Sequence, residues 1–153
     1  MVKILVKRLD SKVKIPEYKT SGSSGMDLMA FVESSIKISP YTLELIPTGL
    51  SIAIPEDLEI QIRPRSGLAV KSSVSVLNTP GTIDSDYRGE LKIILFNHGN
   101  KDFIVNSNDR VAQMVLTPVI KMELEEVDQL PKTIRGSGGF GSTGKWKIFL
   151  TKN

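Results

Sequence analysis

The sequence predicts an all-β domain that contains one short helix. Three observations support this fold class: several segments alternate apolar and polar residues, two further segments are almost entirely apolar, and proline or glycine turn signals recur at short intervals. Alternation with a period of two is typical of half-buried strands, whereas a helix repeats its apolar residues every three or four positions. The spacing of the turns favours a sandwich, a jelly roll or a small barrel over alternating strands and helices.

Two alternating strands and the helix are predicted in the first half of the chain. Residues 50–54 and 58–62 place leucine or isoleucine at every second position, and a proline follows each run within two residues. Prolines often mark strand ends because they cannot donate a ladder hydrogen bond. The helix is predicted at residues 66–71, with the hydroxyl of Ser66 as the cap of its first turn.

Two apolar runs are predicted to form strands that are covered on both faces. Residues 91–96 are apolar apart from Lys92, and residues 111–116 are interrupted only by Gln113. Burying the amide of Gln113 without hydrogen bonds is unfavourable. We therefore expect Gln113 to face a ligand or a polar channel.

A glycine-rich segment, residues 135–144, follows the predicted strands. Half of its residues are glycine, so ordering it loses much backbone entropy and buries little apolar surface. Its N–H groups, hydroxyls, arginine and aromatic ring suit a ligand that carries phosphates and a base. A flexible linker is the alternative, although it accounts poorly for Arg135 and Phe140. We divide the chain into a β domain, residues 1–134, and a flexible arm and tail, residues 135–153.

The composition excludes several classes of function. The 153 residues include no cysteine and one histidine, which excludes disulfides and thiolate metal sites and disfavours an imidazole zinc site. His98 lies in a turn-like segment, so we interpret it as a surface residue. A net charge of +3 is too small to indicate nucleic-acid binding. The apolar residues 4–6 are too few for a signal peptide or a membrane span, so we expect a cytoplasmic protein without a membrane partner.

Two polar clusters carry candidate structural residues. At residues 21–28, glycines and serines precede Asp27, which indicates a tight turn that anchors a carboxylate. We expect this carboxylate to be structural and to pair with Arg110. In the second cluster, Asp109 and Arg110 are adjacent, and we expect them to form an ion pair at the start of a strand.

Two further clusters indicate ligand binding. Residues 64–68 place an arginine, a hydroxyl and a glycine at the start of the predicted helix, which suits an anion, although many helix starts look similar. Residues 78–89 lie between two apolar strands and predict a hairpin whose turn projects Asp84 and Tyr87. Its strand edge and the amide of Asn78 offer donors and acceptors to a pyrimidine. Ordinary turn chemistry is the alternative.

Together these segments resemble the five motifs of the trimeric deoxyuridine triphosphatases (dUTPases). They follow the family's order and spacing over residues 20–144, as Ser24–Leu28, Pro64–Leu68, Gly81–Gly89, Asp109–Gln113 and Arg135–Thr143. The resemblance implies a jelly-roll-like, distorted β-barrel and a homotrimer whose active sites are shared between subunits. It also implies hydrolysis of dUTP to dUMP and pyrophosphate with Mg²⁺, a reaction that keeps uracil out of DNA and supplies dUMP for dTMP synthesis.

The resemblance also implies roles for individual residues. Asp84 would hold and polarise the attacking water, and Tyr87 would lie under the deoxyribose and leave no room for a 2′-hydroxyl. Phe140 would cover the base, which would be read by Asn78, Gly81, Thr82, Ile83 and Lys92. The phosphates would be bound by Arg65, Ser66, Gly67, Gln113, Arg135, Gly141, Ser142 and Thr143. Asp27, Asp86, Asp109 and Arg110 would be structural. No side chain would bind Mg²⁺ directly, because phosphate oxygens and water would hold it.

The sequence departs from the family pattern at two positions near the expected base site, and other functions of the same fold are less compatible with it. Pro80 has no N–H and therefore cannot donate to uracil, and Lys92 alters the surroundings of the base. Deamination of dCTP on the same fold would need an extra carboxylate near the base, and residues 93–96 offer none. A non-catalytic nucleotide sensor or a structural jelly roll is disfavoured by Asp84 together with a complete arm. The alternating tail, residues 145–150, is expected to pack on a neighbouring subunit rather than remain exposed.

Overall fold

The computed structural model describes residues 2–139, which contain eleven strands and one helix. The elements in chain order are β1 (Leu5–Arg8), β2 (Met26–Met29), β3 (Ile36–Ile38), β4 (Leu43–Pro47), β5 (Leu50–Ala53), β6 (Leu58–Arg63), α1 (Ser66–Ser72), β7 (Val74–Val76), β8 (Gly81–Ile83), β9 (Lys92–Asn97), β10 (Phe103–Val105) and β11 (Arg110–Pro118). Within the described residues, no helix is long and apolar enough to span a membrane.

All strand pairs are antiparallel, and they form four small sheets. The largest has the order β2-β11-β6-β8, and the second has the order β4-β9-β7. The remaining strands form two two-stranded sheets, β1 with β5 and β10 with β3. The prediction of an all-β fold of the jelly-roll type with one short helix is confirmed.

The chain separates into two compact units, Met1–Ile120 and Lys121–Asn153. All the strands and the helix found in residues 2–139 belong to the first unit. The functional division predicted at residue 134 stays a prediction.

The core follows from the predicted alternation. β5 buries Leu50 and Ile52, and β6 buries Ile60 and Ile62, while the intervening side chains are more exposed. Burying one such aliphatic side chain stabilises the fold by about 1.5–3 kcal/mol relative to leaving it in water. The hydrophobic core therefore lies on one face of each of these strands.

The two apolar runs form β9 and β11, but coverage on both faces is wrong for the single chain. In β9, Ile93 and Leu95 are buried, whereas Ile94 and Phe96 on the opposite face are only half-buried. In β11 only Val111 and Ala112 are fully buried. An antiparallel sheet packs one face on the core and leaves the other open, and the apolar composition of these runs did not distinguish the two faces.

The helix α1 begins and ends close to the predicted residues, but its cap is not the predicted one. Arg65 occupies the cap position and makes no side-chain capping hydrogen bond, so the role assigned to Ser66 is wrong. Instead, the backbone carbonyl of Arg65 accepts hydrogen bonds from the N–H groups of Leu68 and Ala69. The helix ends where Ser73 adopts a left-handed conformation with φ of 55°.

The connection between β7 and β9 joins two sheets. β7 and β9 pair with each other, as the hairpin prediction requires. Inside their connection, however, β8 leaves this sheet and pairs with β6, so that Gly81 lies opposite Ile62 and Ile83 opposite Ile60. The segment that carries Asp84 is thus anchored on the largest sheet.

Candidate functional site

Asp27 connects three segments that are far apart in the sequence. Its Oδ1 lies 2.8 Å from Nε of Arg65, and its Oδ2 lies 3.1 Å from Nη1 of Arg110. Arg65 Nη1 also donates to the backbone carbonyl of Arg110 at 3.0 Å. The predicted pair of Asp27 and Arg110 is confirmed, and the structure adds Arg65 as a second partner. Because Arg65 and Asp27 are half-buried, this pairing is less screened by water than one on the open surface.

The ion pair fixes the loop that follows β6. Next to Arg65, the backbone N–H groups of Ser66 and Gly67 have no acceptor among residues 2–139. A methyl group placed on Gly67 would meet nothing within 4 Å, so the space beside this backbone is open. The loop can therefore present free N–H donors and a nearby guanidinium to an anion.

Gln113 lies beside this loop. In β11 it pairs with Asp27 of β2 on one side and with Arg63 of β6 on the other. Its Nε2 donates to the backbone carbonyl of Pro64 at 3.0 Å. This bond satisfies one donor of a half-buried amide, which explains how a polar residue is tolerated in the apolar run. The second N–H of the amide has no partner among the described residues and remains available to a ligand.

Gly25 is required by the close approach of β2 to β11. A Cβ atom at this position would lie 2.9 Å from the carbonyl oxygen of Met114 and 3.0 Å from a methyl group of Val115. It would also lie 3.2 Å from Oε1 of Gln113. The glycine therefore allows the Asp27 segment to lie close to Gln113 and its neighbours in β11.

The predicted ion pair between Asp109 and Arg110 is wrong. The Asp109 carboxylate accepts a hydrogen bond from the backbone N–H of Asn106 at 2.7 Å and closes the turn before β11. Asn108 in this turn has a φ of 71°. Arg110, the first residue of β11, instead reaches Asp27 at 3.1 Å. The structural role of Asp109 stays a prediction, which its hydrogen bond within the turn supports.

Asp84 lies exposed in the loop after β8. Its backbone carbonyl accepts a hydrogen bond from the N–H of Tyr87 at 3.2 Å, whereas its carboxylate has no partner among residues 2–139. Arg88 closes the same loop by donating to the carbonyl of Ser85 at 2.6 Å. The loop thus presents a free carboxylate on a hydrogen-bonded turn. Asp86 makes no hydrogen bond or ion pair within the described residues, and its structural role stays a prediction.

β8 offers an unpaired strand edge next to Asp84. It is the last strand of its sheet, so only one of its two edges is bonded to β6 within the described residues. Thr82 and Ile83 follow the buried Gly81, and the amide nitrogen of exposed Asn78 would lie 3.2 Å from a Cβ placed on Gly81. The peptide bond between Thr79 and Pro80 is cis. The free edge and the Asn78 amide supply both donors and acceptors in fixed positions.

Sequence reasoning missed Glu90. One oxygen of its carboxylate lies 3.7 Å from Nζ of Lys92, which places the predicted base-side lysine in an ion pair. The other oxygen accepts from the backbone N–H of Gly49 at 2.8 Å. A glutamate just before an apolar strand is common, and nothing in the sequence links it to a turn more than forty residues earlier.

A single chain does not bring Asp84 to the loop that follows β6. Ile83 pairs with Ile60, and the loop begins three residues further along β6, after Arg63. Because a strand rises about 3.3 Å per residue, roughly 10 Å separates these two positions. β8 runs antiparallel to β6, so Asp84 lies still farther from the loop.

The arm begins with a short hydrogen-bonded turn in the second unit. Arg135 is exposed, and its Nε donates to the carbonyl of Gly138 at 2.8 Å. The N–H of Gly136, whose φ is 51°, donates to Oγ1 of Thr133 at 3.1 Å. The remaining predicted arm residues lie outside the described residues: Phe140, Gly141, Ser142 and Thr143.

No protein metal cage is found in the part of the chain that the structure describes. Within residues 2–139, no three histidine, cysteine, aspartate or glutamate side chains are grouped so that they could hold a metal ion.

Comparisons with known proteins give one consistent result. The dUTPase family model matches residues 11–144. The deoxyuridine 5'-triphosphate nucleotidohydrolase of Rickettsia prowazekii is 51% identical over 145 residues, which cover 94% of this chain and 98% of that protein. The corresponding protein of Treponema denticola is 53% identical over 137 residues, which cover 90% and 95% of the two chains.

Solved structures show the same fold. A mutant dUTPase of Staphylococcus bacteriophage 80alpha with dUpNHpp has a TM-score of 0.84 and 22% identity, and the match covers 95% of this chain and 100% of that one. A mutant dUTPase of phage phi11, described with a structural Mg(II) ion, has a TM-score of 0.77 and 21% identity and covers 86% of this chain. With both its sequence and its fold matched over most of its length, the chain belongs to the dUTPase family.

Proposed function

We propose that this protein hydrolyses dUTP to dUMP and pyrophosphate, with the Asp84 carboxylate activating the water that attacks the α-phosphate. Membership of the dUTPase family supports the reaction. The observation that carries the role of Asp84 is its free, exposed carboxylate beside the open edge of β8. When one short segment both binds the uracil and carries the carboxylate that binds the water, the substrate and the water are positioned relative to each other with little freedom.

The edge of β8 reads the uracil. The backbone from Gly81 to Ile83 offers N–H and C=O groups, and the Asn78 amide offers one further donor and acceptor. Cytosine presents a donor where uracil presents an acceptor, and a site built to pair with one base rejects the other by a factor of about 10⁴ or more. The Tyr87 ring lies under the sugar and excludes a 2′-hydroxyl.

The loop after β6 binds the phosphates. Ser66 and Gly67 follow Arg65 directly and have free N–H groups, and the Gln113 amide is bonded to Pro64 of the same loop. Such donors are most effective where negative charge develops on the phosphoryl oxygens. Since a carboxylate is a weak base, positioning of water and neutralisation of charge supply most of the acceleration.

The active site is shared between the subunits of a homotrimer. Asp84 and the loop after β6 lie apart within one chain, which supports this assembly. A complete site then needs Asp84 from one subunit and the loop from another. Large apolar side chains after β11 are also strongly exposed in the single chain, among them Ile120, Met122, Leu124 and Leu130. Contiguous exposed apolar groups mark interaction surfaces. The arm of another subunit, with Arg135, Phe140, Gly141, Ser142 and Thr143, closes over the bound nucleotide.

Mg²⁺ accompanies the triphosphate. We infer that the ion is held mainly by phosphate oxygens and water, because Mg²⁺ dehydrates reluctantly and commonly binds through substrate phosphates. When bound, the ion neutralises charge on the phosphates; Arg65, Ser66 and Gln113 orient the same groups from the protein side.

Incubation of the protein with dUTP and Mg²⁺, followed by assay of pyrophosphate, tests the proposed function. We expect dUMP and pyrophosphate from dUTP and little product from dCTP, dTTP or UTP. Release of ammonia from dCTP would indicate a deaminase of the same fold instead. Tight binding of dUTP without pyrophosphate release would indicate a non-catalytic nucleotide-binding protein.

A further inference from the structure

We propose that Glu90 is a positioning residue that holds the Tyr87 ring and thereby contributes to the selection of deoxyribose over ribose. This inference rests on the proposed function, in which Tyr87 lies under the sugar of the nucleotide. It concerns a residue outside the catalytic loop that links the loop to the core of the barrel.

The Tyr87 ring is held by the two residues that follow Arg88. Its hydroxyl donates to the backbone carbonyl of Glu90 at 3.0 Å. The ring also lies across the backbone of Gly89, where a Cβ atom would overlap the Tyr87 hydroxyl. Tyr87 is 43% exposed, so this hydrogen bond is a main restraint on the ring. The position of the Glu90 carbonyl therefore sets the position of the ring.

The Glu90 side chain fixes that carbonyl. Its Oε1 accepts a hydrogen bond from the backbone N–H of Gly49 at 2.8 Å, and only 21% of the side chain is exposed. Its Oε2 lies 3.7 Å from Nζ of Lys92. A hydrogen bond to a carboxylate is stronger than one between neutral groups, and partial burial strengthens it further.

The neighbouring residue ties the same segment to the same turn. The N–H of Leu91 donates to the carbonyl of Leu50 at 2.8 Å. The carbonyl of Leu91 accepts from Oγ1 of Thr48 at 2.7 Å. Residues 90 and 91 thus make three hydrogen bonds to the turn at residues 48–50, which we call the anchor turn.

The anchor turn belongs to the core. Thr48 is 1% exposed and Leu50 is 2% exposed. Gly49 has a φ of 68°, and a Cβ atom there would overlap a methyl group of Val13. A turn so enclosed moves little, since packed interiors have few voids. A continuous set of contacts therefore runs from the core through Glu90 to Tyr87.

Substitutions at Glu90 separate this role from a general effect on the fold. Glu90→Ala leaves the N–H of Gly49 without its acceptor and releases the carbonyl that holds Tyr87. Glu90→Gln keeps an oxygen at the same position. We expect Glu90→Ala to reduce the ratio of kcat/KM for dUTP to kcat/KM for UTP by about tenfold, and Glu90→Gln to keep that ratio within about threefold of the wild type.

The experiment measures kcat/KM for dUTP and UTP in the trimeric full-length chain and in both variants. Glu33→Ala is the matched control, because this exposed glutamate has no hydrogen bond or ion pair within the described residues. Tyr87→Phe, which lacks the hydroxyl, should lose selectivity to a similar degree. Combining it with Glu90→Ala should add little further loss, because both changes act through the hydrogen bond between the Tyr87 hydroxyl and the Glu90 carbonyl: one removes its donor and the other loosens its acceptor.

A second measurement does not depend on activity. Backbone amides at residues 84–91 should exchange with deuterium faster in Glu90→Ala than in Glu90→Gln, the Glu33→Ala control or the wild type. Should Glu90→Ala fail to fold, Glu90→Asp replaces it with the same expectations, since its carboxylate is one methylene short of Gly49.

The outcomes separate this inference from the proposed function. A wild type that selects dUTP over UTP, with an unchanged ratio in Glu90→Ala, overturns the role of Glu90 and leaves the hydrolase intact. A wild type that does not hydrolyse dUTP overturns the proposed function. In that case unchanged amide exchange in Glu90→Ala also overturns the claim that Glu90 holds the Tyr87 loop, and faster exchange upholds that claim.

Discussion

Asp27 organises three sequence segments with one carboxylate. Its two oxygens bind Arg65 and Arg110 and so hold the loop after β6 against β11. The glycines and serines before Asp27 predicted a structural carboxylate, and Arg110 was the expected partner. The sequence does not predict the second partner, Arg65, because the family resemblance implies only a phosphate-binding role for it. Two of its nitrogens bind Asp27 and the Arg110 carbonyl, and Nη2 has no partner among the described residues, which is compatible with both roles.

Asp27→Asn is expected to lower the free energy of unfolding by about 1–2 kcal/mol, because two guanidinium groups lose their charged partner. It should also raise KM for dUTP more than it lowers kcat. Chemical denaturation and steady-state kinetics measure the two effects. Asp102→Asn is the control, since its ion pair with Lys37 at 3.4 Å is exposed and should contribute little. Equal stability of the two variants would contradict the organising role of Asp27.

Asp84→Asn is expected to lower kcat by a factor of about 10²–10⁴, the range that a general base contributes. Nucleotide binding should remain, because the base and phosphates are held by other groups. Turnover assays and calorimetry with dUpNHpp provide the two readings. If the variant loses affinity as well as turnover, Asp84 binds the substrate and has been assigned the wrong role.

At the scale of elements, the close contact of β2 with β11 positions the site. Gly25→Ala should push the two strands apart, because the added methyl would lie 2.9 Å from a backbone oxygen that cannot yield easily. Overpacking of this kind costs about 1–3 kcal/mol. Thermal unfolding measures the loss, and Gly22→Ala is the matched control because nothing lies within 4 Å of its Cβ position. A melting temperature that is the same in both variants would show that β2 accommodates the methyl.

Local patterns in the sequence predicted the elements better than their partners. The alternation of apolar and polar residues predicted β5 and β6, and the residue types after Arg65 predicted α1. Both signals depend only on residues that are close together in the sequence. The pairing of β8 with β6 was not predicted, since the choice of partner depends on the whole sheet. The same holds for the bond from Gly49 to Glu90 and for the pairing of Arg65 with Asp27. The family resemblance, rather than periodicity, identified the site residues.

At the scale of the whole molecule, we expect the barrel and the arm to have separable roles. Among residues 2–139 every strand lies before residue 121, so deleting residues 135–153 should leave the thermal unfolding of the barrel unchanged. The deletion should lower kcat/KM for dUTP at least about a hundredfold, because the distal phosphates lose their closing contacts. Calorimetry and the pyrophosphate assay check the two parts. A truncated protein with normal turnover would remove the arm from the proposed site.

The open side of β8 has a consequence for solubility. An exposed row of backbone donors and acceptors can pair with a strand from another molecule. Repeated pairing of this kind leads to aggregation. The short length of β8 limits this aggregation. The strand has three residues, and the proline just before it cannot donate a hydrogen bond. A strand from another molecule would gain too few hydrogen bonds on three residues to remain bound, whereas the proposed pyrimidine needs only a few.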